Sequence, residues 1–167
     1  VENFGHPTKI GYKDLLPKWT LEKWNPNNLM ELYKRAGARY FVALANHHCN
    51  FDTWNSKHQE WNSVNIGPNR DVIGEWKNAA DKHGLKFGVS VHNINTWGWF
   101  LNAFGSDKSG PLKGVPYDAR LTLNDGKGKW WEGYDPAMLY SPYERENDSI
   151  PTREWMQNWY DRCLDLV

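Results

Sequence analysis

The chain has 167 residues, with 20 Lys and Arg set against 20 Asp and Glu, so its formal net charge is zero with histidine neutral. That length suits one domain. The balanced charge argues against a protein that grips nucleic acid through its phosphates and gives no reason to expect an anionic membrane as partner. No apolar run approaches the ~18 residues of a bilayer span, no signal-peptide pattern is visible at the start, and a hydrophobic content of 40% is too high for a disordered chain. The unusual number is 11 Trp, beside 8 Tyr and 6 Phe. Tryptophan buries a large area yet needs a partner for its N–H, so such a chain carries either an aromatic core or aromatic ligand platforms. Cys49 and Cys163 have no metal-type spacing, which argues against a disulfide framework and a zinc knuckle and favours small buried apolar residues.

Residues 1–25 read as irregular. Asn25-Pro26 then starts a helix in which Leu29, Leu32, Tyr33 and Ala36 recur at helical spacing, and Gly37 stops it. The apolar run Tyr40–Ala45 suits a strand buried on both faces. The pattern repeats: Asp71 caps a helix with Val72, Ile73, Trp76, Ala79 and Ala80 on one face, Gly84 ends it, and residues 87–91 form a second strand. Helix, glycine, strand and long loop, written twice, imply parallel strands joined by right-handed crossovers. A segment rich in Gly, Trp, Tyr and Asp fills 93–150 as a long loop insertion, and loops of that length are usually functional. A last helix opens at Pro151-Thr152, with Trp155, Trp159, Cys163, Leu164 and Val167 on or near one face. Two parallel strands would leave both sheet edges bare, so the chain is expected to be a piece of a larger domain; a small complete α/β domain with a strand from 1–25 is the other possibility.

Ligands of α/β folds bind on the loops that follow the strands. The first strand ends in Asn46-His47-His48-Cys49 and the second in His92-Asn93, so three of the six histidines reach one rim. Adjacent strand residues face opposite ways, so His47 and His48 share a site only if the strand ends between them; otherwise one packs behind the sheet. Imidazoles there can donate to sugar hydroxyls or, with Asp52 and His58, ligate a metal, but no HxH or HExxH spacing is present. Trp54 and Trp61 flank the pair. A pyranose needs an apolar platform beside polar groups, which Trp54 could supply if it is not a core residue. Arg70 is a candidate partner for a carboxylate. Asp118 and Glu132 in the insertion either solvate their loop or touch a bound ligand. Gly126-Lys127-Gly128-Lys129 is a loop turn and not a phosphate loop, since no Lys-Ser/Thr step precedes a helix.

The order Ala36-Gly37-Ala38-Arg39-Tyr40, Asn46-His47-His48-Cys49-Asn50-Phe51, Trp54-Asn55-Ser56, Trp61-Asn62-Ser63, Gly67-Pro68-Asn69-Arg70-Asp71 and Gly84-Leu85-Lys86-Phe87-Gly88 resembles the catalytic barrel of α-L-fucosidases of glycoside hydrolase family 29. That family carries Asp-Gly where this chain has Cys49-Asn50, and many members end the next strand in Tyr-Tyr-Ser where this chain has Ser90-Val91-His92. The resemblance implies an α/β chain that is part of a (β/α)8 TIM barrel. The expected fragment has two to three parallel strands with flanking helices, one partial catalytic domain over 1–167 with the insertion at 93–150. It implies a retaining hydrolase of α-L-fucosides that acts on fucosylated oligosaccharides or glycoconjugates without a cofactor or metal. His47 and His48 then bind the fucose hydroxyls, with Trp54 and His92 as further substrate-binding candidates. Retaining glycosidases use two carboxyl groups ~5–5.5 Å apart; the resemblance places the nucleophile after Val167, the acid/base later still and a further fucose-binding His ahead of this segment, so no catalytic residue is expected within the chain. A secreted or periplasmic setting fits the family, and the oligomeric state stays open. Two other readings remain: a sugar-binding protein without turnover, and a metal-dependent barrel hydrolase that pairs His47 or His48 with His92.

Overall fold

The computed structural model describes residues 3–93, 95–144 and 147–167. The centre of the fold is a parallel pair of strands, β1 (Tyr40–His47) and β2 (Lys86–His92), joined through helix α2 (Val72–Lys82) and preceded by helix α1 (Pro26–Arg35). The two helices begin as the sequence reading expects. Asn25 accepts a hydrogen bond from the Asn28 amide, Pro26 occupies the first turn, and Asp71 accepts from the Gly74 amide. Gly37 and Gly84 follow the helix ends with φ of 96° and 67°, a left-handed conformation that only glycine takes cheaply.

Met30, Ala79, Ala80 and Leu85 form the seam between α1 and α2, while Ala43, Ala45, Trp54 and Ile73 pack behind β1 with Phe87, Val89 and Val91 of β2. The expectation that β1 is buried on both faces is corrected here. Its side chains alternate: Ala43 and Ala45 are buried against the helices, whereas Tyr40, Val42 and Leu44 on the other face are 69%, 51% and 51% exposed. The apolar run suited a covered face, and among the described residues no element lies on that face.

The 93–150 segment is also more than a loop insertion. It contains α3 (Thr96–Trp99), α4 (Pro136–Tyr140) and three single turns of 3₁₀ helix. Phe104, Ala119, Trp131, Leu139 and Tyr140 from this segment share one core with Leu16, Phe51, Trp61 and Ile66. Residues 1–25 supply a short 3₁₀ helix, Lys13–Lys18, and no strand among those described. Gly67 fastens the loop after β1 to this helix: a Cβ there would lie 2.7 Å from the Leu16 carbonyl oxygen, and its φ of 81° excludes most side chains.

The last helix, α5 (Arg153–Leu164), opens with Thr152 accepting from the Trp155 amide. Its apolar residues are not its buried ones; Trp159 and Leu164 are exposed, and the buried side chain is Arg162. Arg162 reaches across the fold and donates through Nε and Nη2 to Asp52, and through Nη1 to Asn50 Oδ1 at 2.7 Å. Asn46 Nδ2 donates to the same Asp52 carboxylate, which is fully buried. An aliphatic-helix pattern hides this pair, because charged residues at helical spacing ordinarily mark a solvated face. Leaving a buried charge without its partner costs ~3–5 kcal/mol. Arg162→Met is therefore expected to lower unfolding free energy by about that amount, and adding Asp52→Asn should recover part of the loss. Denaturant titration of the two variants against wild type checks both.

Candidate substrate-binding site

Strand β1 ends at His47, and His48-Cys49 turn away from it, with the Asn50 amide donating to the His47 carbonyl at 2.9 Å. Asn50 has φ of 59°, in the left-handed region that Asn tolerates better than most non-glycine residues, so the turn forms without glycine. The strand thus ends between the two histidines, the condition under which both can serve one site. A bulge completes the arrangement. The ladder pairs Leu44 with Ser90, then skips Ala45 and pairs Asn46 with Val91 and His47 with His92. The extra residue turns His47 onto the open face of the sheet beside His92.

The structure brings His47, His48 and His92 together. Their ring centroids lie 4.7 Å (His47–His48), 4.8 Å (His47–His92) and 4.5 Å (His48–His92) apart. One nitrogen from each falls within 4.8 Å of the others. His48 is buried, His47 half-buried and His92 exposed, so the group opens to solvent on one side. Burial and the two neighbouring imidazoles hold His48 below the usual histidine range. The Asn95 amide donates to His48 Nδ1 at 3.4 Å. A neutral His48 that accepts there carries its proton on Nε2 and is a donor, which suits a sugar hydroxyl.

Trp54 is placed elsewhere. Its ring is buried behind β1 with Ala43, Ala45 and Ile73, and its Nε1 donates to Asp165 at 3.0 Å. The aromatic face at the histidines belongs to Trp99, which sequence reasoning missed: its ring lies 4.9 Å from His48 at 39° and 6.0 Å from His47 at 84°. The signal available was Trp97-Gly98-Trp99 soon after His92, but only the four-residue helix α3 turns Trp99 toward the rim. Trp61 is fully buried and donates to the Asp135 carbonyl. Asp52 belongs to the Arg162 pair and His58 is exposed, so neither joins the histidines.

Asp118 does not solvate its loop. It is buried against Lys13 at 2.8 Å and accepts from the Tyr140 hydroxyl. Glu132 accepts from the Gly128 amide, and Arg70 pairs with Glu75 while lying over the Trp24 ring. Both cysteines are free and half-buried, less enclosed than expected. Beside the histidines in sequence, Asn50 and Asn93 line a cavity of about 340 Å³ walled by Trp155, Met156, Trp159 and Arg162, in which Trp159 Nε1 donates to Asn93 Oδ1.

Comparison with known proteins gives a consistent picture. The family model described as alpha-L-fucosidase matches residues 1–167. The tissue alpha-L-fucosidase of Rattus norvegicus is 34% identical over 138 residues, covering 82% of this chain and 28% of the relative. A Thermotoga maritima alpha-L-fucosynthase in complex with alpha-L-Fuc-(1-2)-beta-L-Fuc-N3 superposes with a TM-score of 0.62 at 28% identity, covering all of this chain and 30% of that one. The alpha-fucosidase of the same organism, in complex with a mechanism-based inhibitor, gives 0.52 at 36% identity over 55% of this chain and 21% of that one. The chain spans between 28% and 39% of the length of the first curated relatives it matches.

The depressed His48 value sets a pH dependence. The unfolded chain takes up a proton near pH 6.5 and the folded ring only below that, so stability falls as pH drops through 6.5 and levels off once the folded ring protonates. Melting curves between about pH 8 and 5 should show a larger loss for wild type than for His48→Gln.

Proposed function

The chain belongs to the alpha-L-fucosidase family, and on that premise we propose that it is part of a retaining α-L-fucosidase whose fucose hydroxyls are bound by His47, His48 and His92. The observation that carries this reading is the convergence of three imidazoles and the Trp99 ring at the carboxyl end of two parallel strands. Fucose offers the matching chemistry: hydroxyls that take and give hydrogen bonds around a ring with an apolar face. His48, neutral with Nε2 as donor, orients a hydroxyl, while Trp99 covers an apolar side.

The open face of β1, with Tyr40, Val42 and Leu44, fits the inner wall of a (β/α)8 barrel completed by the rest of the protein, and residues 1–167 then form a partial catalytic domain. The histidine group contains no carboxylate among the described residues. By the family resemblance, the nucleophile and acid/base that a retaining mechanism requires belong to the part of the protein outside these residues. The substrate class is a fucosylated oligosaccharide or glycoconjugate.

The test uses the full-length protein and an aryl α-L-fucoside. Release of the phenol, with kcat/KM reduced at least about fivefold by His48→Ala, is the expected result, since one lost hydrogen bond is worth ~1 kcal/mol or more. Trp54→Phe should leave those kinetics unchanged and lower the melting temperature by removing the Asp165 contact. Fucose binding without turnover would instead favour a sugar-binding protein, and absence of both binding and turnover would contradict the reading.

A further inference from the structure

The third histidine changes what this rim can hold. His92 stands where the resembling family has Ser in many members, and it turns a pair of imidazoles into a group of three. The sequence shows no metal motif, since His47 and His92 close two strands separated by 38 residues of loop and helix, 48–85, and His48 lies in the turn after the first. The fold supplies the missing proximity, with one nitrogen of each ring within 4.8 Å of the others and no acidic side chain in the group among the described residues.

We propose that His47, His48 and His92 form a capture site for a borderline divalent transition metal such as zinc, in competition with the sugar. Three imidazoles with an open fourth position are a recognised zinc donor set, and imidazole nitrogen also suits copper and nickel better than the hard calcium and magnesium ions. Zinc–nitrogen bonds of about 2.0–2.1 Å bring tetrahedral ligands to about 3.4 Å from one another, so the rings must close inward. His92 is exposed and His47 half-buried, so closure moves side chains that reach solvent, while His48 stays enclosed.

Closure makes the two occupants exclusive. With Nε2 on a metal, the remaining proton of neutral His48 sits on Nδ1 and faces the Asn95 amide, so the 3.4 Å contact parts. With a sugar bound, Nε2 keeps its proton and that contact stays. No net proton is exchanged in the tautomer shift. The metal is not assigned a catalytic role; it occupies the position that a fucose hydroxyl otherwise takes. This inference uses the same side chains as the reading above, but its test can fail separately.

The experiment is isothermal titration of the metal-free full-length protein with zinc chloride alone, and separately with fucose alone. One zinc per chain is expected. His92→Ser should weaken it at least tenfold, whereas His58→Ala, which removes an exposed histidine outside the group, should leave it unchanged. Saturating fucose should weaken zinc binding in proportion to its occupancy. His92 is exposed, so its loss is not expected to disturb folding, and a melting curve of the variant verifies this. Absence of zinc uptake, or uptake unaffected by His92→Ser, overturns the proposal while fucose binding leaves the sugar site standing. Zinc uptake lost in His92→Ser without any fucose binding would support the metal site and contradict the sugar site.

Discussion

The rim depends on one buried charge. Asp52 has no exposed surface, and it is held by the Arg162 guanidinium and the Asn46 amide. These three residues belong to the last helix, the end of β1 and the loop just after it, so a single carboxylate ties together the parts of the chain that flank His47 and His48. Arg162 also binds Asn50, whose side-chain amide donates to the Met138 and Leu139 carbonyls of α4. The strand end is thereby fixed from both the helix side and the 93–150 side. Desolvating such a pair is expensive and its net contribution to stability small, but it leaves few alternative placements for the turn that carries the histidines.

On that anchored turn, backbone geometry decides what the side chains can do. Without the bulge at Ala45, His47 would point to the helix layer with Ala43 and could not meet His92. With it, two strand ends and one turn residue deliver three rings to one point. The group thus combines an enclosed, neutral His48 with an exposed His92. That asymmetry suits recognition of a polyhydroxylated ligand better than a permanently closed structural metal centre, whose ligands are all held.

Much of this is legible in the sequence. Asn25, Asp71, Gly37 and Gly84 act through local backbone chemistry, so the helices, the strands and their parallel order followed from spacing. For the same reason His47 and His92 close their strands, with His48 in the turn just beyond. What failed depended on contacts between distant segments. Trp54 looks like a sugar platform in sequence because it lies close to His48, yet Asp165, 111 positions away, takes its N–H and fixes it in the core. Trp99 gains its position only from α3. Asp118 reads as a loop carboxylate until Lys13 and Tyr140, from opposite ends of the chain, enclose it. The 93–150 segment, low in periodicity, still builds a core because its Trp131, Leu139 and Tyr140 meet Leu16 and Trp61.

In the proposed function, the imidazoles at the ends of β1 and β2 hold the sugar. A crystal structure of the full-length protein with fucose tests it most directly. The account predicts fucose hydroxyl oxygens within hydrogen-bond distance, about 2.7–3.2 Å, of ring nitrogens of His47 and His48, with an apolar sugar face against Trp99. Fucose bound away from this rim, or seated there with its hydroxyls turned from all three histidines, would contradict it.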